Sequence, residues 1–189
     1  MDMRIIAGRF KGVRLSAPRG RAVRPTTDRV REAVFSILGP VVEGSRVLEL
    51  FAGTGAFGLE ALSRGAASAV FVENDRKTVE NLVQTVRTLG LEDRAIVVAS
   101  SVTNALKKLA ATEERFRIIY LDPPYATDWI ERVVSNPFLP SLLEAQGLLV
   151  VERGVRTPKP DLQGLFVKAV ERKYGGTIVE IFHQDAGFQ

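Results

Sequence analysis

Short apolar runs alternate with helical-period stretches along most of this chain. Arg46–Leu50, Ala69–Glu73, Ala95–Ala99, Ile118–Leu121 and Leu148–Glu152 are dominated by aliphatic residues, the pattern of strands buried on both faces. Between them, Gly55–Arg64, Asp75–Leu89 and Thr103–Ala111 carry apolar residues at helical spacing, and Gly65 and Gly90 close the first two. Helical turns are expected within 127–145. Two further strands, about 165–173 and 177–183, flank Gly175-Gly176, so they should form a hairpin and the last strand should run antiparallel. The pattern predicts an α/β protein with a doubly wound, seven-stranded, mostly parallel sheet.

The first 40 residues read differently. Ile5, Ile6, Phe10, Val13 and Leu15, with Gly8 and Gly12 nearby, have the spacing of a short β-hairpin. Pro25-Thr26-Thr27-Asp28 then precedes Val30, Val34, Ile37 and Leu38 at helical spacing, with Thr27 or Asp28 as N-cap and Gly39-Pro40 as the stop. The expected organisation is a hairpin-and-helix extension over 1–40 and a main domain over 41–189.

Charge sharpens that division. Nine Lys/Arg within residues 1–31, against Asp2 and Asp28, give the arm +7, so a chain of net +4 leaves −3 on the remainder. A basic, folded arm on a mildly acidic body suggests a polyanionic partner, with Arg4, Arg9, Lys11, Arg14, Arg24 and Arg29 as candidate phosphate contacts. The chain has no Cys and a single His, His183, which falls in the last predicted strand. Disulfides, thiolate-bound zinc and a cysteine nucleophile are thereby excluded, and no metal site is expected. No stretch approaches 18 apolar residues and no signal-like segment follows Met1, so a cytoplasmic location is expected. Nothing argues for a helical dimer seam, and a monomer is expected.

Two motifs carry the candidate chemistry. Glu49-Leu50-Phe51-Ala52-Gly53-Thr54-Gly55-Ala56-Phe57-Gly58 joins the first sheet strand to its helix, where ligands of open α/β sheets bind. Glu73 ends the next strand, 20 residues after Gly53, where a carboxylate can hold ribose hydroxyls. Gly53, Gly55 and Gly58 also match the dinucleotide G-x-G-x-x-G pattern, so an NAD-dependent oxidoreductase is a rival. Glu49 speaks against a pyrophosphate there and for a cationic ligand. The second motif, Asp122-Pro123-Pro124-Tyr125, follows the strand Ile118–Leu121. The Asp122 carboxylate and the Pro123 carbonyl can accept hydrogen bonds from an NH2 group, the prolines stiffen the turn, and Tyr125 offers a stacking face worth about 1–3 kcal/mol per base. Trp129 and Phe138, further on, read as packing.

Taken together, these residues resemble the S-adenosylmethionine-dependent amino-methyltransferases. The blocks Arg24-Pro25-Thr26-Thr27-Asp28-Arg29-Val30-Arg31-Glu32 and Gly58-Leu59-Glu60-Ala61-Leu62-Ser63-Arg64-Gly65 narrow the resemblance to the bacterial RsmD family of 16S ribosomal RNA guanine-N2 methyltransferases. The likeness runs from about Arg4 to the C-terminal strands. It implies S-adenosylmethionine as cofactor and 16S ribosomal RNA, in an assembling or assembled small subunit, as partner. It also implies that Glu49, Phe51, Ala52, Gly53, Thr54 and Gly55 surround the methionine end and that Glu73 holds the ribose. Asn74 and Asp75 would lie beside the adenosine, and Thr26, Thr27 and Arg29 would close the pocket near the methionine carboxylate. Relatives often carry Asp or Asn after the third strand to meet the adenine amine; here stands Ser100-Ser101-Val102, so Ser101 or a backbone group would substitute. Asp122, Pro123 and Tyr125 would form the catalytic grip, with Asp122 bordering the cofactor as well. Asp-Pro-Pro-Tyr also serves adenine-N6 enzymes, and only the flanking blocks favour guanine. The absence of Cys excludes the covalent route of cytosine-C5 methylation.

Overall fold

A computed structural model describes residues 3–15, 28–124, 127–162 and 164–185. The N-terminal segment forms the expected hairpin, β1 (Met3–Arg4) and β2 (Arg14–Leu15), paired antiparallel with Met3 opposite Leu15. Helix α1 (Asp28–Leu38) follows and passes into a 3-10 turn, Gly39–Val42, that carries Pro40 at its start. Then come β3 (Arg46–Leu50), α2 (Ala56–Ser63), β4 (Ser68–Glu73), α3 (Arg76–Thr88), β5 (Ala95–Ala99), α4 (Val102–Ala110) and β6 (Phe116–Leu121). The chain continues through α5 (Trp129–Val134), α6 (Leu139–Leu142), β7 (Leu143–Gly154), β8 (Phe166–Tyr174) and β9 (Thr177–Gln184).

Strands β3 to β9 form one seven-stranded sheet in the order β5-β4-β3-β6-β7-β9-β8. Its first five members are parallel, while β9 runs antiparallel to both β7 and β8. The order reverses between β3 and β6, and such a switch point opens a crevice at the strands' carboxyl ends.

The near-continuous apolar strands are explained by burial on both faces. One face packs Val47, Ile118, Tyr120 and Val150 against residues of α1, α2 and the hairpin, including Val34, Phe35, Leu59 and Ile5. The other packs Leu48, Leu50, Ile119 and Leu149 against Leu106, Ile130, Val133 and Leu142 from α4, α5 and α6. Each fully buried aliphatic side chain contributes about 1.5–3 kcal/mol relative to exposure. Phe35, Phe57 and Tyr120 stack in series, with ring centroids 4.8 and 4.0 Å apart.

The hairpin is built into this core through α2. Glu60, fully buried, accepts hydrogen bonds from the N–H groups of Ile6 (2.6 Å) and Ala7 (3.0 Å) and pairs with Arg64 (2.7 Å). Ser63 accepts from Arg9 N–H through its carbonyl (2.8 Å) and from Phe10 N–H through its hydroxyl (2.9 Å). Gly8 passes so close that an added Cβ would stand 1.9 Å from the Ser63 carbonyl oxygen, and its φ of 77° already favours glycine.

One element boundary departs clearly from the sequence pattern. Strand β7 begins at Leu143 rather than Leu148, and its pairing with β6 shifts register between Phe116↔Leu143 and Ile118↔Leu148. The intervening Glu144-Ala145-Gln146-Gly147 has no two-residue apolar alternation to betray it. The helical turns expected up to 145 therefore end at Leu142.

Candidate active site

Local packing first fixes the glycine loop. Phe51 adopts φ 58° and Gly53 φ 54°, left-handed values that turn the chain sharply out of β3. For Phe51 this costs roughly 1–2 kcal/mol, and strain of that kind concentrates at functional sites. Two contacts hold it: Ala52 N–H donates to the Val72 carbonyl of β4 (2.9 Å), and the Phe51 ring meets Trp129 edge-on at 5.4 Å. The loop closes with Gly55 N–H donating to the Ala52 carbonyl at 2.7 Å. Thr54 is buried, its hydroxyl directed at the Met3 sulfur (3.1 Å), which ties the open end of the hairpin to the loop.

Glu73 stands where the spacing predicts. One carboxylate oxygen accepts from Gly53 N–H (2.9 Å), and the other accepts from Asn74 N–H (2.8 Å) and Asp75 N–H (2.9 Å). The group thus links the loop to the start of α3 and keeps a partly exposed face. Asn74 is exposed beside it, whereas Asp75 caps α3 by accepting from the Thr78 N–H (3.0 Å) and hydroxyl (2.8 Å).

Glu49 is placed otherwise than its charge suggested. It is 3% exposed and turns inward, accepting from Phe57 N–H (3.2 Å) and Gly58 N–H (2.8 Å) in the first turn of α2. Burial is the main cause that pushes its pKa from 4.5 to about 8, against the lowering effect of those two N–H groups and of Arg31. The side chain thus braces α2 from below, and burial favours its neutral form. An added Cβ at Gly58 would meet Phe71 at 2.5 Å and the Glu49 carboxyl at 3.0 Å, so this glycine serves close helix–sheet packing.

A cleft open to solvent lies between the ends of β3, β4 and β5. Phe51, Trp129, Val72 and Val102 supply apolar walls; Glu73, Asn74, Ser100 and Ser101 supply polar groups. Ser101 is the N-cap of α4, and its hydroxyl makes only a long 3.5 Å contact with Thr103, which leaves it able to turn into the cleft. Trp129, read from sequence as packing, is a wall of this cleft. The signal that could have found it is its position, the chain's one Trp, just after Asp-Pro-Pro-Tyr.

Asp122 leaves β6 directly beside the loop, partly buried, with Pro123 buried behind it. The Pro124 carbonyl accepts from the Thr127 hydroxyl at 2.7 Å, so that carbonyl is engaged within the turn itself. Beneath this turn, Tyr120 donates its hydroxyl to buried Glu152 at 2.8 Å. Tyr125, Thr27 and Arg24 lie outside the described residues.

The described candidate RNA contacts are spread along the hairpin and the start of α1. Arg4 pairs with Arg14 in the hairpin register, next to Met3 and so near the loop, and Arg4 contacts Asp28 at 3.6 Å. Exposed Arg29 lies in the first turn of α1. Arg9 and Lys11 occupy the hairpin tip beside Ser63, at the far end of α2, which at eight residues is about 12 Å long. Arg31, not singled out in the sequence, is buried. It donates to the Arg4 carbonyl and to Asp28 (3.0 Å) and lies 3.8 Å from Glu60, fastening α1 to the hairpin and α2. Among the described residues no His/Cys/Asp/Glu cluster could hold a metal ion, and no helix is long and apolar enough to cross a membrane.

This arrangement has close parallels. The family model described as Conserved hypothetical protein 95 matches residues 3–183. Ribosomal RNA small subunit methyltransferase D of Escherichia coli (strain K12) is 33% identical over 185 residues, 98% of this chain and 91% of that protein. The solved structure titled "Putative methyltransferase yhhF from Escherichia coli" superposes with a TM-score of 0.85 at 32% identity, covering 98% of this chain and 99% of that one. A T. thermophilus 16S rRNA N2 G1207 methyltransferase, RsmC, solved with AdoMet and guanosine, superposes with a TM-score of 0.73 at 25% identity. That match covers 98% of this chain and 50% of the RsmC chain. The chain belongs to the family described as Conserved hypothetical protein 95, that of the ribosomal RNA small subunit methyltransferase D proteins.

Proposed function

We propose that this protein transfers a methyl group from S-adenosylmethionine to the N2 amine of a guanine in small-subunit ribosomal RNA. The observation that carries the reading is a juxtaposition at the strand-order reversal. The Asp122-Pro123 turn at the end of β6 adjoins the Gly53 loop at the end of β3, and Glu73 and the aromatic cleft lie on the loop's other side.

The cleft suits an adenosine. Phe51, Trp129, Val72 and Val102 offer walls to a flat ring, Ser101 and nearby backbone groups offer polar contacts, and the Glu73 oxygen that holds Gly53 N–H retains acceptor capacity for one ribose hydroxyl. A dinucleotide suits it less well. Pyrophosphates bind the N–H groups of the helix following such a loop, and here two of those, Phe57 and Gly58, are already bonded to Glu49. When bound, S-adenosylmethionine supplies a methyl group on a good sulfonium leaving group.

The chain's own task is the nucleophile. A guanine exocyclic amine shares its lone pair with the ring. Hydrogen bonds from its N–H groups to the Asp122 carboxylate and the Pro123 carbonyl favour the pyramidal form and stabilise positive charge developing on nitrogen. Tyr125 stacks on the unstacked base. As the amine nitrogen forms the new bond to carbon, its proton leaves to Asp122 or to water, so no histidine is needed. Family membership and the guanosine-bound RsmC structure support guanine as the base and small-subunit RNA as the substrate.

Two measurements test the reading in turn. Calorimetry should give binding of S-adenosylhomocysteine and none of NADH. Labelled methyl from S-adenosylmethionine should pass to small-subunit RNA or subunits and not to DNA. NADH binding in place of S-adenosylhomocysteine, or label entering DNA alone, would overturn it.

A further inference from the structure

The strand order splits the carboxyl rim of the sheet into two halves. On one side of the reversal, β3, β4 and β5 end in the cleft with Glu73, Asn74, Ser100 and Ser101. On the other, β6, β7 and β8 end and β9 begins, and beyond Asp122 this stretch of rim has no part in the proposed cofactor site. Because β7 and β8 are both antiparallel to β9, they run in the same direction, and the loop after β7 meets the β8–β9 turn. Gly154 pairs with Thr177, and Val155 N–H donates to the Gly176 carbonyl at 3.0 Å.

This corner is rigid and basic. Arg153 is 6% exposed; it donates to the Glu180 carboxylate (2.7 Å) and to the Thr157 carbonyl (3.1 Å), while Thr157 N–H donates to the Gly154 carbonyl (3.0 Å). The loop is thereby pinned with Arg156 exposed at its turn, and Arg172 and Lys173 are exposed at the end of β8, one on each face of that edge strand. The neighbouring carboxylates are engaged elsewhere: Glu180 pairs with Arg153 and Lys168, and Glu171 pairs with Lys168. Three strand spacings separate β6 from β8, about 14 Å, so these cations lie within a few nucleotides of a base held at Asp122. Arg9 and Lys11 stand at the far end of α2, on the other flank of the site, so the two basic regions would hold different stretches of one strand.

We propose that Arg156, Arg172 and Lys173 line a second RNA-contact rim, across whose edge the RNA strand passes so that cations on both faces of β8 meet backbone phosphates flanking the target base. The inference rests on the reading of the protein as an RNA methyltransferase. It assigns these residues to positioning the strand, since phosphate contacts fix register and carry no sequence information.

The test is the triple variant Arg156→Ala/Arg172→Ala/Lys173→Ala, assayed for methylation of small-subunit RNA across a salt series. Losing three single-strand phosphate contacts should lower the slope of log KM against log salt by about 2, and raise KM roughly a hundred-fold near 0.1 M salt. S-adenosylhomocysteine affinity should equal wild type, which also verifies folding. A control triple, Lys107→Ala/Lys108→Ala/Arg115→Ala, removes the same charge at the opposite rim and should leave the slope unchanged. An unchanged slope in the rim variant, or equal effects from both triples, overturns the surface. Failure of wild type to methylate RNA would instead overturn the reading beneath it.

Discussion

Replacing Glu73 with Gln probes the cofactor side of the site with the least disturbance of shape. The carboxylate accepts three backbone N–H groups: Gly53 on one oxygen, Asn74 and Asp75 on the other. A glutamine can keep its carbonyl on Asn74 and Asp75, but its NH2 then opposes the Gly53 N–H, donor against donor. One charge-assisted bond is lost, about 1.5–3 kcal/mol, and the lower end applies because the partly exposed loop admits water. The expected cost in stability is about 1–2 kcal/mol, a Tm drop of roughly 2–8 °C for a chain of this size. The loop that positions the ligand loses its anchor and the ribose loses a charged acceptor. Together these should weaken S-adenosylhomocysteine on the order of 10- to 100-fold. Isothermal calorimetry reads the affinity and circular dichroism the Tm. A Glu73→Gln protein that binds S-adenosylhomocysteine within about two-fold of wild type would refute this role.

Three further outcomes are expected. Asp122→Asn should lower kcat by roughly 10²–10³ in single-turnover assays while changing S-adenosylhomocysteine affinity far less; equal losses in both would mean Asp122 acts mainly in cofactor binding. Glu49 holds a proton in the folded state that the unfolded chain releases, so its contribution to stability is complete below pH 4.5 and is lost as pH rises towards about 8. Urea unfolding of wild type and Glu49→Gln should therefore diverge across that window by on the order of a few kcal/mol, with wild type losing ground as pH rises; a pH-independent difference would mean the group stays ionised. Gly8→Ala must relieve a 1.9 Å clash with Ser63 and disrupts hydrogen bonds of Arg9 and Phe10, so a loss of about 3–5 kcal/mol is expected from denaturant midpoints, and a loss under about 1 kcal/mol would contradict the docking of the hairpin.

Much of this fold is legible because parallel strands buried on both faces leave unmistakable apolar runs. Strands β3 and β5 coincide with the sequence pattern, and the glycine loop and Glu73 follow from chain spacing alone. What spacing does not encode is the direction of a side chain. Glu49 stands four residues before Gly53 either way, but its inward turn depends on the α2 amides that it meets. The role of Glu60 depends on the hairpin returning to α2 from more than 50 residues away. Trp129 becomes a cleft wall only because α5 starts beside the strained Phe51. The early start of β7 was hidden by polar residues at a register shift, where period-two patterning fails. The basic rim at Arg156, Arg172 and Lys173 was equally invisible, since three unremarkable surface cations become neighbours at one edge only through the β7–β9–β8 strand order.

Nucleoside mass spectrometry after reaction tests the central claim most directly. Small-subunit RNA or assembled subunits are incubated with labelled S-adenosylmethionine and wild type or Asp122→Ala, then digested to nucleosides. The account predicts label in N2-methylguanosine with wild type and its loss with Asp122→Ala. Label in N6-methyladenosine, or N2-methylguanosine formed undiminished by Asp122→Ala, would contradict it.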